Sequence, residues 1–303
     1  MVSTMVQSQS GEVRRWTVGR VLAWVALGIL IFITLFPLWI MVKTALTFPK
    51  DMFEGASSLL PSNPTLLNFR RVLGLISPEE NLALGGVANI NFAVALRNSL
   101  LFTGTIVVLQ TFFSAMAAYA FARLHFPGRN LLFFLFLSAT MIPGAVLFIP
   151  NFILIKNLGW LNTFQGMVAP FVLMTPFAVF FLRQFFLSIP KELEEAAHLD
   201  GATPFQIFWK VILPISRTPL ATLGILTTIG SWNEFFWPWI VSKDPNMQLI
   251  TVALKSFQTQ TPQGSPDWTG LMAATFLAVI PVVLLLVLLG RQVVESLQFS
   301  GIK

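Results

Sequence analysis

Cysteine is absent from this sequence of 303 residues. Its absence excludes disulfide bonds, a thiolate nucleophile and thiolate metal ligands. Histidine is nearly as scarce, because His125 and His198 are the only two and stand far apart in the chain. The sequence therefore predicts no metal site in this protein.

Charged side chains are also few. They make up 11% of the residues, whereas hydrophobic residues make up 55% and the mean hydropathy is +0.75. In soluble domains about a quarter of the residues are charged. This composition predicts an all-α integral membrane protein.

Long intervals without charge predict six membrane spans, because a helix needs about 20 apolar residues to cross the hydrocarbon core. The fourth span contains Arg183 near one end, and the fifth contains Glu234. The first follows a basic region but runs for 22 residues, which is too long for the core of a signal peptide, so we expect it to be retained. The predicted spans lie at about 21–42, 98–122, 130–155, 164–187, 218–242 and 269–290.

Lysine and arginine set the predicted orientation, since cytoplasmic loops are enriched in both. Arg14, Arg15 and Arg20 precede the first span, and Arg123 and Arg129 lie in the short loop after the second. With six spans, both termini lie in the cytoplasm. The predicted segments are a cytoplasmic tail at 1–20, a six-span domain at 21–292 with a cytoplasmic loop at 188–217 and outer loops at 43–97 and 243–268, and a cytoplasmic tail at 293–303.

Motifs for nucleotide chemistry and for hydrolysis are missing as well. The phosphate-cradling pattern G-x-x-x-x-G-K-[ST] does not occur, and Ser, His and carboxylates are too scattered to form a catalytic triad. The net charge of +6 is not gathered into a basic stripe interleaved with aromatics, so we expect contact with membrane lipid and not with nucleic acid. We predict no catalytic residue and no cofactor bound by this chain.

The loop at 188–217 is a polar island between spans. We expect Ser188 to cap a first short helix, Gly201 to end it in the left-handed conformation, and Thr203 to cap a second helix that stops at Pro214. One helix is acidic and rich in alanine, and the other carries aromatic residues on one face. Such a pair suits docking into a groove of another protein; the alternative is a surface loop packed on its own bundle.

The run E-A-A-x-x-x-G at 195–201, followed downstream by Leu213 and Pro214, resembles the EAA loop of bacterial ATP-binding-cassette (ABC) importer permeases. The resemblance implies that this loop docks into a cleft of a cytoplasmic ATPase subunit and transmits its closure to the spans. ATP and Mg²⁺ would then be bound by that partner. The residues that the resemblance implies for coupling are Glu195, Ala196, Ala197, Asp200, Gly201, Phe208 and Pro214.

The resemblance extends over nearly the whole chain and is closest to the smaller permease of maltose-type carbohydrate importers. Trp232-Asn233-Glu234-Phe235 resembles the fifth-span signature of that family, and the tail at 298–303 resembles its short C-terminus, although the usual small, glycine-rich ending is missing. The implied partners are a second permease, two ATPase subunits and an extracytoplasmic solute-binding protein. The implied location is the bacterial cytoplasmic membrane, and the tail is either held between the ATPase subunits or a disordered terminus.

Residues of the fifth span and of the following loop are candidates for contact with the solute and with the binding protein. Glu234 either lines the translocation path with Trp232, Asn233 and Phe235 or forms a hydrogen bond with Asn233. The aromatic residues here serve either as a platform for sugar rings or as a belt at the headgroups. The outer loop either enters the binding protein or is a spacer; its contact candidates are Gln258, Thr259 and Gln260.

Two functions of other classes remain open on the sequence. An ion-coupled secondary transporter would use Glu234 as its titrating group, but it would leave the polar island unexplained. A membrane scaffold would anchor a cytoplasmic protein through residues 188–214. Copurification with an ATPase and ATP-dependent uptake separate these possibilities from an ABC importer.

Overall fold

The computed structural model of the protein describes residues 18–53, 58–61, 63–84, 90–259 and 266–299, the last nine of these and Thr259 by backbone alone. Within these ranges the regular structure is helical and includes no strand, which confirms the all-α prediction. The α-helices in chain order are α1 Val18–Leu46, α2 Leu67–Val72, α3 Pro78–Ala83, α4 Phe92–Arg123, α5 Arg129–Ser138, α6 Gly144–Asn157, α7 Phe164–Val168, α8 Pro176–Ser188, α9 Glu192–Leu199, α10 Pro204–Ile207, α11 Leu213–Ile215, α12 Arg217–Trp232, α13 Phe236–Val241, α14 Ile250–Thr259 and α15 Trp268–Phe299.

Three helices are long and apolar enough to cross a membrane without interruption. They are α1, α4 and the part of α15 up to Gly290, and they coincide with the first, second and sixth predicted spans. Two bent helix pairs raise the number to five if each pair is one span, and the apolar α8 is shorter. The count of six spans therefore stays a prediction.

The breaks in the remaining predicted spans have local causes. The helix through α5 and the 3₁₀ turn to Met141 meets α6 at 98°, and Pro143 stands at the break. Because the residue before a proline avoids the helical conformation, Ile142 is extended with ψ of 114°. The fourth predicted span is divided between α7 and α8, where Thr175 caps the restart. The third and fourth predicted spans are therefore each broken into two helices and do not cross as single straight helices.

Helix α4 lies at the centre of the bundle, where it packs against α8 and α12; α12 in turn packs against α15, and α15 against α1. Ala115, Ala118 and Ala122 are buried along the face of α4 that meets α8. Small residues at this spacing let two helices approach closely, as is common in membranes. The same core cluster includes buried side chains from the polar island, so that island is anchored to both helices.

A buried polar network ties the predicted outer loops to the last helix. Arg71 of α2 forms an ion pair with Asp267, and its Nη1 donates to Asn68 Oδ1 at 3.0 Å. Asn68 Nδ2 donates to the backbone oxygens of Ala45 and Thr47 at 2.8 Å each. Burial lowers the pKa of Arg71, and the charge of Asp267 opposes that effect. The predicted outer loops are therefore fixed to the start of α15 by a buried ion pair and by hydrogen bonds.

Helix α15 continues as far as Phe299. Most of the predicted tail at 293–303 is therefore an extension of the last helix. Residues 300–303 lie outside the described residues. The role of this tail stays a prediction.

Candidate functional site

The polar island forms two short helices that meet at a glycine turn. Gly201 follows Asp200, the C-cap residue of α9, and has φ of +82°, which confirms the expected left-handed conformation. Thr203 caps α10, since its Oγ1 accepts from Gln206 N at 3.3 Å while Gln206 Oε1 accepts from Thr203 N at 2.8 Å. This reciprocal capping box, with Pro204 next in the chain, fixes the start of α10. The turn is therefore fixed by residues within it: the left-handed Gly201 and the Thr203–Gln206 capping box.

Two predicted boundaries of the island are wrong. Ser188 does not cap α9: it ends α8, its Oγ donates to Phe185 O at 2.7 Å, and α9 begins after Lys191 without a side-chain cap. The cause is Pro190. It keeps the preceding Ile189 extended, so α8 ends at Ser188.

Pro214 does not end the second helix. A π-helical turn at Phe208–Ile212 precedes it, and the helix continues through Ile215 before it bends by 80° into α12. Pro214 lies in the first turn of α11, where a missing N–H is tolerated. The bend occurs instead at Ser216, a buried residue whose Oγ donates to Ile212 O at 2.6 Å.

The proposed coupling residues divide into an exposed and a buried group. Glu195, Ala196, Asp200, Gly201 and Pro214 are exposed, and Ala197 is half-buried. Phe208 is 2% exposed and its ring lies 5.4 Å from that of Tyr119 in α4. Phe208 therefore anchors the island to the bundle, while the others form its outer surface.

Three large apolar side chains on this surface were missed as candidate contacts. Leu199 is 90% exposed, Phe205 59% and Trp209 53%. The rings of Phe205 and Trp209 stack at 6.5 Å and 19°. The sequence carried no clear signal for them, because Phe205 stands at helical spacing with the buried Phe208 and Ile212. An apolar patch on an otherwise polar loop is typical of a protein interface.

The island contacts the bundle through a buried ion pair that the sequence did not reveal. Arg123 Nε, at the end of α4, lies 2.8 Å from Glu194 Oε1 of α9. Burial raises the pKa of Glu194, and the positive charge of Arg123 counteracts that rise. From the sequence, Arg123 is one of the loop charges that set the orientation, and Glu194 does not differ from the other acidic residues of the first helix.

The candidates for the solute path surround the break between α12 and α13. Trp232 is buried in a core cluster with residues of α1, α4, α14 and α15, whereas Asn233 is exposed and donates from Nδ2 to Ile229 O at 2.8 Å. Glu234 Oε1 accepts from Trp237 N at 3.2 Å. Asn233 and Glu234 thus bond to separate backbone groups instead of to each other, and Glu234 caps the start of α13.

The aromatic faces beside this break are covered by cations. Phe235 stacks on Trp239 at 5.7 Å and 12°. Lys255 Nζ lies 3.6 Å from the ring centroid of Trp239, and Lys243 Nζ lies 4.8 Å from it. A sugar ring that stacked on Trp239 would therefore have to share it with an ammonium group.

Two of the three binding-protein contact candidates, Gln258 and Thr259, lie at the end of α14. Gln258 is exposed. Thr259 is the last residue of the helix, and Gln260 lies outside the described residues. Ile250 N at the other end of α14 donates to Ser99 Oγ of α4 at 2.7 Å, which holds the helix to the bundle.

Comparisons with known proteins agree with one another. The family model described as "Binding-protein-dependent transport system inner membrane component" matches residues 89–298. The probable ABC transporter permease protein YurM of Bacillus subtilis is 32% identical over 291 residues, 96% of this chain and 91% of that protein. The arabinooligosaccharides transport system permease protein AraQ of Halalkalibacterium halodurans is 32% identical over 288 residues, 93% of this chain and 97% of that protein.

A solved structure shares the fold. It is that of a bacterial ABC transporter involved in the import of the acidic polysaccharide alginate, and one of its chains superposes with a TM-score of 0.77 at 23% identity. The superposition covers 92% of this chain and 99% of the other.

Proposed function

This protein belongs to the family of binding-protein-dependent transport system inner membrane components, and we propose that it is the permease subunit of an ABC importer for a carbohydrate or carbohydrate-like solute. Family membership and several long apolar helices make it a multi-pass protein of the inner membrane. The relatives named for arabinooligosaccharides and alginate support the substrate class.

The exposed surface of the helix pair carries this proposal. Leu199, Phe205 and Trp209 present apolar area beside the exposed Glu195 and Asp200, on a loop that the charge pattern places in the cytoplasm. Burial of such side chains in a partner's groove is the main source of affinity at many interfaces. The partner in this proposal is an ATPase subunit, which binds ATP and Mg²⁺.

The anchoring of the island explains how movement of the ATPase would reach the spans. Ile207, Phe208 and Ile212 are buried in one cluster with α4 and α8. A pull on α9 and α10 therefore acts directly on two central helices. Nucleotide shifts the equilibrium between inward-open and outward-open states by its different affinity for the two.

The proposed complex contains this permease, a second permease, two ATPase subunits and an extracytoplasmic binding protein. The termini and residues 188–217 face the cytoplasm, and the loops at 43–97 and 243–268 face the binding protein. Gln258 and Thr259 at the end of α14, together with Gln260, are the proposed contacts with the binding protein. Trp232, Asn233, Glu234 and Phe235 are proposed to lie beside the solute path, because broken helices at membrane depth expose backbone groups that need a polar cavity.

The test is reconstitution in proteoliposomes with ATP inside and the binding protein outside. Sugars for the uptake assay are chosen by the melting shift they cause in the binding protein, from a panel that includes arabinooligosaccharides and alginate oligosaccharides. We expect the ATPase to copurify with this chain and uptake to require ATP. Uptake driven by an ion gradient without ATP would instead favour an ion-coupled secondary transporter that uses Glu234. A stable complex with the ATPase but without any uptake would favour a membrane scaffold.

A further inference from the structure

We propose that Arg123 and Glu194 are positioning residues that fasten α9 to the ends of α4 and α8, so that both helices follow any displacement of α9. We call this pair the Arg123–Glu194 link. The proposal rests on the proposed function of the helix pair and assigns a specific part to two residues outside the EAA run.

Arg123 joins three elements with one side chain. Its Nη2 donates to Phe186 O at 2.7 Å and also to Ile189 O, so it binds the backbone where α8 ends. Its Nε lies 2.8 Å from Glu194 Oε1. A planar guanidinium can hold several acceptors in fixed directions, whereas the ammonium of lysine is a single point charge. The end of α4 is therefore tied to α8 and α9 together.

Glu194 differs from the other acids of its helix. Glu192 and Glu195 are exposed, but the Glu194 side chain is only 12% exposed, and that of Arg123 is 5% exposed. Because a buried charge without its partner is costly, the pair favours a single arrangement of α9 against α4.

The two halves of the island are attached by different chemistry. The second half buries the apolar side chains of Ile207, Phe208 and Ile212, and apolar contact has little directional preference. In α9, Glu194 is the only buried residue. Ala197 packs only partly against the same cluster, so the position of α9 depends chiefly on the close charge contact between Arg123 and Glu194, while the hydrogen bonds of Arg123 hold the end of α8.

The experiment measures ATP hydrolysed per sugar imported in the reconstituted full complex. Glu194→Gln removes the carboxylate charge at nearly constant volume. Arg123→Lys keeps the positive charge but loses the planar guanidinium that reaches several acceptors at once. Glu192→Gln is the matched control, since it removes the same charge from an exposed position on the same helix. The melting temperature of each complex and the amount of bound ATPase are measured in parallel.

We expect Glu194→Gln and Arg123→Lys to raise the ratio of ATP to sugar severalfold while the ATPase stays bound, with a double variant no worse than either alone. Glu192→Gln should leave the ratio near that of the unmodified protein. A lower melting temperature with an unchanged ratio would show a purely structural pair and overturn the proposal, as would an equal effect of Glu192→Gln. Failure of the unmodified complex to couple ATP to uptake would instead contradict the proposed function.

Discussion

Single residues hold the protein together through buried charges that join distant parts of the chain. Arg71 and Asp267 stand 196 residues apart and form an ion pair that joins α2 to the start of α15. Arg123 and Glu194 form a second buried ion pair at the polar island. Loss of one member of a buried pair costs about 3–5 kcal/mol. Sequence reasoning could not find either pair, because nothing local relates an arginine to a carboxylate on another helix.

Gly270 provides a test of the packing around the Arg71–Asp267 pair. A Cβ there would lie 2.5 Å from Asp267 Oδ2 and 2.9 Å from Phe257 Cε1, and Gly270 N already donates to Asp267 Oδ1 at 2.9 Å. We expect Gly270→Ala to destabilise the protein by about 1–3 kcal/mol through overpacking, and by more if Asp267 leaves Arg71. Thermal unfolding of the purified protein measures the effect.

Gly104→Ala is the control, since Gly104 lies within α4 and a Cβ there would meet nothing within 4 Å. Alanine is preferred to glycine in a helix by about 0.5–1 kcal/mol, so this change should be neutral or slightly stabilising. Equal melting temperatures for the two variants would contradict the packing described around Asp267.

At the scale of elements, features that depend on neighbouring residues were predictable and features that depend on packing were not. The left-handed Gly201 and the Thr203 cap follow from short-range chemistry, and both predictions are confirmed. The division between exposed Phe205 and buried Phe208 depends on where α4 and α8 lie. The prediction that the second helix ends at Pro214 is wrong for a similar reason, because residue types do not reveal the π-helical turn before it.

The exposed pair Phe205 and Trp209 tests the docking surface. We expect Phe205→Ser and Trp209→Ser each to weaken ATPase binding by about 1–3 kcal/mol, which is about 5-fold to 150-fold in affinity. Both rings are more than half exposed, but Trp209 also contacts Phe112 of α4. The melting temperature of the isolated permease should therefore change little in Phe205→Ser and fall somewhat more in Trp209→Ser. Binding of the purified ATPase to the permease in nanodiscs is the measurement.

Phe53→Ser serves as the matched control, since Phe53 is 72% exposed in the predicted outer loop. It should leave ATPase affinity unchanged. Full affinity in both island variants would show that the stacked rings are not part of the interface.

For the whole molecule, composition predicted an all-α membrane protein and the structure agrees. The straight spans α1, α4 and α15 follow the long charge-free intervals closely. The other predicted spans are broken at Pro143, between α7 and α8, and at Glu234, because hydropathy reports how apolar a segment is and not its direction. The packing of α4 against α8 and the position of the island are tertiary properties that a hydropathy profile does not contain.

The absence of cysteine makes the orientation testable with single-cysteine variants. Glu192→Cys and Glu79→Cys are matched changes at exposed helix positions in the polar island and in the loop at 43–97. A membrane-impermeant maleimide added to spheroplasts should label Cys at position 79 and reach position 192 only after permeabilisation. The reverse pattern would place the polar island outside and remove the basis for ATPase docking.

The central claim is that the glycine turn at 201 transmits ATPase closure to the spans, and the ratio of ATP hydrolysed to sugar imported tests it most directly. Gly201 and Gly128 have φ of +82° and +77°, and a Cβ on either would meet nothing within 4 Å, so valine strains both backbones similarly, by about 1–2 kcal/mol. The account predicts that Gly201→Val inserts and assembles but hydrolyses ATP with little uptake, whereas Gly128→Val stays coupled. Normal coupled uptake in Gly201→Val, or equal uncoupling in both variants, would contradict it.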